Sequence, residues 1–381
     1  MRRVLGILSL IVGAFALLIG ILAKPVIYEA VSKVELDQNS VSVSRGENMS
    51  ALQVSGEGIN KLEGVTLIST RTVAGIPGLA EGNNAFWQTA VESAVEDGPL
   101  LTYSDEGVSF DRTTALATNC CGDYIAVGDA AAPDDDATRE AIQHDGLFFK
   151  FPFDTQQEDY PYWDGALGHA VTAEFSGEES VEGVTTYKFV MELGPEEVSE
   201  NTGLPGELFG TDQPVDAGRI YQNTRTLWVE PNSGVIIRGL EEQNVHFAPR
   251  DSSLPTVPIT VGTIGYTDET IKANADEYGS KGALLGFING PLTWVGILVG
   301  LALIALGAFL ALGGNRTRQE GGVAYGDDDP TGYSEGGFDE PGHEPSGHGA
   351  PVHAEAGHDA AGYEDDDYSD TEQITRRLRH E

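Results

Sequence analysis

The sequence is short of thiols, of positive charge and of catalytic signatures, and each shortage excludes something. Cys120 and Cys121 are the only cysteines in 381 residues, and they are adjacent. Neighbouring cysteines cannot staple distant parts of a chain, so a small disulfide-framework fold is excluded. A chain of this length buries enough apolar surface to do without one. Lysine and arginine total 22 against 60 aspartates and glutamates, a net charge of −38. Nucleic-acid binding needs clustered basic side chains, and that class of function is excluded. Only His144, His169 and His246 precede the C-terminal tail, and no GxSxG, HExxH or phosphate-loop pattern occurs. Carboxylate pairs such as Glu241-Glu242 are expected by coincidence in so acidic a chain. Asp134-Asp135-Asp136 lacks the spacing and glycine of an EF-hand loop and reads as a solvated loop. The expectation is a non-enzymatic protein with no catalytic residue, no metal site and no cofactor.

What the sequence does have is two long apolar runs. Residues 4–23 are free of charge, and at about 1.5 Å rise per residue they match a hydrocarbon core of roughly 30 Å. Arg2 and Arg3 resemble the start of a signal peptide. The run exceeds the roughly 7–15 residues of a signal core, however, and Leu22-Ala23-Lys24-Pro25 is a poor cleavage site, so an uncleaved anchor is expected. Residues 291–312 form the second span, with Trp294 near its start, where an indole suits the interface. Arg316 and Arg318 follow it, so positive charge flanks both spans on the side away from the middle of the chain. The positive-inside rule then places residues 1–3 and the tail, 313–381, in the cytoplasm, and residues 24–290 outside the plasma membrane. Gly6, Gly13 and Gly20 recur every seventh position, and Gly296, Gly300 and Gly307 mark a face of the second span. Such faces let helices approach closely, either each other or a membrane-protein partner, although glycine is also simply common in membrane helices. Neither span holds an ionisable residue, so neither suits an ion path.

The acidity divides between two regions. The tail from residue 315 carries 17 acidic and 5 basic side chains, which leaves a net −28 for the region between the spans. The tail is rich in Gly, Asp, Glu, Pro, Tyr and His and is expected to be disordered. His343, His348, His353 and His358 recur every five residues and offer at most a weak metal site, with drift in a repetitive segment the plainer reading. Residues 371–379 read as a short helix for docking on a partner or the membrane.

Between the spans, period-2 alternation of β-branched and aromatic residues dominates. It predicts strands over 40–44, 65–73, 100–110, 147–153, 184–193, 219–229, 234–247 and 257–266. Pro231-Asn232-Ser233-Gly234 and Val181-Glu182-Gly183 read as turns. Short helices are predicted over 83–93, 137–143 and 270–285. The predicted fold class is therefore a membrane-anchored, mainly-β (α+β) protein. Its large antiparallel outer domain is a curved sheet or partly closed barrel, flanked by two transmembrane helices. Several strands alternate apolar with charged residues, as a half-buried soluble sheet does and a membrane-spanning barrel does not.

Several runs go beyond pattern. Thr70-Arg71-Thr72-Val73, Phe110-Asp111-Arg112 and Asn119-Cys120-Cys121-Gly122 follow one another. After them come Lys150-Phe151-Pro152-Phe153-Asp154-Thr155, Tyr162-Trp163-Asp164 and Tyr187-Lys188-Phe189, then Asn223-Thr224-Arg225-Thr226-Leu227-Trp228-Val229-Glu230-Pro231. This succession resembles the actinobacterial porin PorA family, from the first span to the second. The resemblance implies a two-helix cell-envelope protein and, by the family's name, a pore.

The residues offer few sites. Phe149, Phe151, Phe153, Tyr162 and Trp163 form an aromatic group suited to lining an apolar tunnel or a glycan platform, with an ordinary β-domain core as the alternative. Arg225 shares a strand face with Asn223 and Leu227, opposite Thr226 and Trp228. With Arg71 it is a candidate for a buried ion pair with Asp154 or Asp164. Cys120 and Cys121, outside the cytoplasm, are expected to oxidise, as a turn staple, a redox switch or an intermolecular bond. The leading functional expectation is an outer domain that binds or conveys an envelope lipid, lipoglycan or glycan. A channel and a scaffold for an envelope enzyme are the alternatives. Membrane lipids are partners in every reading, and nucleic acid in none.

Overall fold

The computed structural model describes residues 2–55, 58–128 and 138–312. The expectations for Asp134-Asp135-Asp136, for the tail over 313–381 with its histidines, and for 371–379 lie outside the described residues.

The chain forms two β-meanders. The first comprises β1 (Asn39–Ser55), β2 (Gly58–Gly75), β3 (Asn84–Val95), β4 (Leu100–Asp111), β5 (Tyr124–Gly128) and β6 (Thr138–Ala141). The second comprises β7 (Tyr160–Asp164), β8 (His169–Val181), β9 (Val184–Leu204), β10 (Val215–Val229), β11 (Ile236–Pro249) and β12 (Val257–Tyr266). Together they make one antiparallel sheet in the order β6-β5-β4-β3-β2-β1-β12-β11-β10-β9-β8-β7. Every neighbour is consecutive in sequence except β1 and β12, whose pairing, with Ser44 opposite Tyr266, welds the meanders at mid-sheet. That weld brings together the chain entering β1 and the chain leaving β12.

Those two flanks are the helices. Before β1 come α1 (Arg2–Leu22), a π-helical stretch and α2 (Glu29–Val31); after β12 come α3 (Asp268–Asn289) and α4 (Pro291–Leu312). The spans Arg2–Val31 and Pro291–Leu312 are long and apolar enough to cross a membrane. The buried positions of α1 are Gly6, Gly13 and Gly20, and those of α4 are Gly296, Gly300 and Gly307. The two stripes face each other so closely that a Cβ on Gly300 would lie 2.6 Å from the Leu17 nitrogen. Ser9 donates to the Leu303 carbonyl at 2.8 Å across the same seam. Apolar side chains such as Phe15, Leu298 and Phe309 cover the outer faces and are exposed, the pattern of helices meant for lipid.

The sheet curls on itself. Phe110 of β4 bridges to Ala117, Leu116 to Leu147, and Leu147 to Tyr162 of edge strand β7, stitching distant strands together at one end. One core therefore takes Val73, Trp87 and Phe110 from the first meander and Tyr162, Phe189, Leu227 and Val245 from the second. A curved, partly closed antiparallel domain beside two apolar helices is the predicted class.

Three local expectations are corrected. Residues 83–93 are not a helix but lie in β3, where pairing to β2 and β4 on both sides and the β-favouring Phe86 and Trp87 override the alanines. Of 137–143, residues 138–141 form β6 and not a helix. Residues 147–153 are not a strand. Their amides are taken by turns instead, Phe151 N donating to Gly234 O at 2.8 Å and Phe153 N to Thr113 O at 3.2 Å. This phenylalanine-rich segment is a plug rather than part of the wall.

Candidate functional site

The wall of the sheet has a slot, and its origin is a strand that stops early. β12 ends at Tyr266, opposite Ser44, and its last partner on β11 pairs Gly265 with Leu240. Residues 39–43 of β1 and 236–239 of β11 therefore flank a gap with no strand between them. Open strand edges need partners for their backbone groups, and α3 supplies them as it crosses the gap. Thr267 caps this helix by accepting from the Thr270 nitrogen. Thr270 Oγ1 in turn donates to Val43 O and accepts from Val43 N, both at 3.1 Å. One turn on, Asn274 Nδ2 donates to Ile236 O at 3.3 Å on the other edge. The helix thus straddles the slot, tied to both sides.

Behind α3 lies a cavity of about 350 Å³, a size typical of small-molecule sites. Val41, Val73, Trp87, Phe149, Phe153 and Ile236 form its walls, and Tyr278 of α3 closes it. Val31, Leu284, Leu285 and Ile288 line the end nearest the two apolar spans. Leu284 is 60% exposed, so that end is open. Trp87 Nε1 donates to Glu35 O at 3.1 Å and pins the segment entering β1 against the wall.

Lys150, from the plug, also lines this cavity. Its Nζ is buried and has no hydrogen-bond partner among the described residues. It sits 3.5 Å from the centre of the Phe153 ring. Burial drives its pKa down to about 7, against the pull of the Glu230 charge. Glu230 does not pair with it, because that carboxylate already accepts from Asn232 N, Asn232 Nδ2 and Ser233 N.

Deeper inside, a polar hollow of about 520 Å³ is lined by Ser42, Ser44, Arg71, Thr89 and the Arg225 cluster. Arg225 lies 3.1 Å from Asp164 and 2.9 Å from Glu241. Tyr221 OH donates to Asp164 Oδ2 at 3.0 Å, and Ala166 N and Leu167 N donate to its Oδ1. Asn223 and Gln243 complete Glu241. Burial raises the Glu241 pKa, but the Arg225 charge together with the hydrogen bonds from Gln243, Arg225 and Asn223 outweighs it, and the net shift is downward. Of the two partners expected for Arg225, the structure supplies Asp164 and not Asp154. Arg71 stands outside the pair, donating to Thr89 Oγ1 at 3.1 Å and lying over the Phe148 and Phe149 rings.

The five aromatic candidates separate. Phe149 and Phe153 line the slot cavity; Tyr162 and Trp163 line the hollow. Phe151 lines neither. It is fully buried and stacks on Phe189 with ring centres 4.4 Å apart, so for this residue the core reading replaces the ligand reading. Cys120 and Cys121 are bonded to each other, which leaves no thiol for an intermolecular bond. Nearby, buried His144 contacts Asp123 at 3.0 Å and Glu106 at 3.4 Å. Burial lowers its pKa, but these carboxylates outweigh that and the net shift is upward.

Sequence reasoning missed Lys150, Trp87 and the α3 face as site components. One signal was available, a single lysine set inside the run Phe148-Phe149-Lys150-Phe151-Pro152-Phe153. The slot itself depends on where β12 ends relative to its neighbours, and no local pattern encodes that.

Comparison with known proteins follows the same outline. A protein named Porin PorA from Corynebacterium amycolatum is 27% identical over 181 residues, covering 41% of this chain and 47% of that protein. The chain thus spans about half the length of that relative. Porin PorA from Corynebacterium resistens is 22% identical over 280 residues, covering 56% of this chain and 67% of the relative. The family model described as Porin PorA matches residues 5–309, which takes in both apolar helices and the sheet between them. This membrane-associated chain belongs to the Porin PorA family.

Proposed function

We propose that the chain is a non-enzymatic envelope protein whose outer domain takes the alkyl part of an envelope lipid or lipoglycan into the slot between β1 and β11. The carrying observation is the cavity behind α3, apolar along its walls and opening beside the two apolar spans. An acyl chain leaving a bilayer at that point meets Val31, Leu284 and Ile288 before it meets water. Burying it there is favourable at roughly 25 cal/mol per Å² of apolar surface. The orientation that serves this role has both termini in the cytoplasm and the sheet outside, as the flanking arginines favour. Lipids retained by the full chain after extraction into polymer-bounded membrane discs are the direct test. One or more defined lipids are expected per chain, lost when the slot is filled by Val73→Trp. Retention of bulk lipid alone, unchanged by that substitution, overturns the reading.

A second reading rests on the relatives' name. A channel would use the polar hollow and an oligomer of this chain, and purified protein in planar bilayers would give discrete conductance steps. Absence of steps across a range of voltages removes it.

A further inference from the structure

The slot cavity has one feature that an alkyl chain does not explain. An ammonium group without a partner is costly to bury, and side chains whose charge is destabilised in a cleft mark functional sites. Lys150 Nζ is such a group, 5% exposed as a residue and without a hydrogen-bond acceptor among the described residues. It is anchored from below by the Phe153 ring, which favours a cation. Most of the charged side chains that line the cavity with it have the same sense. Lys33, Arg71 and Lys281 share the cavity lining with it, against Glu35 as the single carboxylate there. Lys281 is tied to Glu277 at 2.9 Å and Arg71 to Thr89, and Glu230 is satisfied by its own turn. In a region with a net charge of −28, a cavity with a basic lining is a local reversal of sign.

We infer that the slot selects a single-chain amphiphile ending in an anion, whose carboxylate or phosphate oxygens accept from Lys150 Nζ while its chain lies against Trp87 and Phe149. This inference rests on the lipid reading of the same cavity and adds the charge of the ligand to it. An anion there supplies the acceptor that Nζ lacks, and it stabilises the protonated lysine that burial opposes. A neutral amphiphile would bury the same chain and leave Nζ unpaired. Selectivity therefore arises from the polar end.

The experiment uses the full chain in discs of zwitterionic phosphatidylcholine. Binding of 11-(dansylamino)undecanoic acid is compared with that of its methyl ester, with oleate and lysophosphatidate as competitors. The acid is expected to bind at least tenfold more tightly than the ester. Lys150→Met is expected to abolish that difference while keeping ester binding, and Lys150→Arg to retain most of it. Stronger competition by oleate assigns a free carboxylate, and by lysophosphatidate a phosphate; either supports an anion site. Equal binding of acid and ester by the wild-type chain overturns the inference and leaves the lipid reading standing. Failure of both probes to bind overturns the lipid reading as well. A preference for the acid that survives in Lys150→Met places the anion elsewhere and also overturns the inference.

Discussion

Two basic side chains are buried inside the same curled sheet, and they are provided for in opposite ways. Arg225 has two carboxylates within 3.1 Å, each completed by further donors. Lys150 has a phenyl ring and, among the described residues, no acceptor. The first cation has its counter-charges without a ligand, so it reads as structure: a bolt joining β10 to β11 through Glu241, and to the end of β7 through Asp164. The second is incomplete, in a cavity that opens beside the membrane spans. Both satisfy the sequence-level description of a cation within an aromatic domain. What separates them is whether the fold itself provides the counter-charge.

The comparison breaks most visibly at Arg225. Arg225→Met leaves buried Asp164 and partly exposed Glu241 without their cation, and removal of one partner from a buried ion pair costs about 3–5 kcal/mol. At about 2–4 °C per kcal/mol for a domain of this size, the melting temperature of the sheet domain should fall by roughly 10 °C. Differential scanning fluorimetry of the purified chain measures this. A change of under about 2 °C would show that the bolt does not hold the sheet.

Lys150 should respond with the opposite sign. Its pKa is about 7 in the folded chain against an ordinary 10.5. Between those values the unfolded chain holds a proton that the folded chain has released, so this group makes stability rise with pH through the window. Below about pH 7 both states are protonated and the full cost of the buried charge applies. Lys150→Met removes that cost. It is expected to stabilise the ligand-free protein by about 4–5 kcal/mol at pH 6–7, with the gain fading to nothing above pH 10.5. Urea midpoints of both proteins across that range provide the check. A variant less stable than wild type at pH 6 would mean that Nζ has a counter-charge after all.

Much of this contrast was legible beforehand, and the rest was not, for physical reasons. Alternation along 219–229 placed Arg225 on one face with Asn223 and Leu227, because strand geometry fixes which side chains share a face, but it left the partner open between Asp154 and Asp164. The spans and their glycine stripes were legible for a similar reason, since helical periodicity and membrane thickness are local constraints. The run 147–153 carries the same alternation as a strand but spends its amides on the turns at Gly234 and Thr113, a tertiary choice with no local signature. Alanines in 83–93 suggested a helix until two neighbouring strands claimed the segment. The slot comes from the register of β12 against two strands far from each other in sequence, so the phenylalanine-rich run around Lys150 could mark it as unusual but could not place it in a cavity lining.

A smaller effect tests the role of the ring under Lys150. Phe153→Leu keeps most of the apolar volume but removes the face that Nζ sits on, an interaction worth about 1 kcal/mol. The titration of Lys150, followed by carbon-13 resonances of labelled lysine, should move below its present midpoint of about 7 by less than a factor of ten in proton affinity. An upward movement would mean that the ring had been keeping water or an acceptor out.

The smallest expected change sharpens the Arg225 side. Tyr221→Phe deletes one donor to Asp164, while Arg225 stays on Oδ2 and the amides of Ala166 and Leu167 stay on Oδ1. Because the carboxylate keeps its charge partner, the loss is that of one hydrogen bond, about 1 kcal/mol, or about 2–4 °C in melting temperature. Comparing it with Arg225→Met separates charge from hydrogen bonding within the one cluster. If the tyrosine variant falls as far as the arginine variant, Asp164 depends on its neutral donor as much as on the cation. The difference between the two buried bases would then lie in how many donors surround the acid, rather than in the presence of an acid at all.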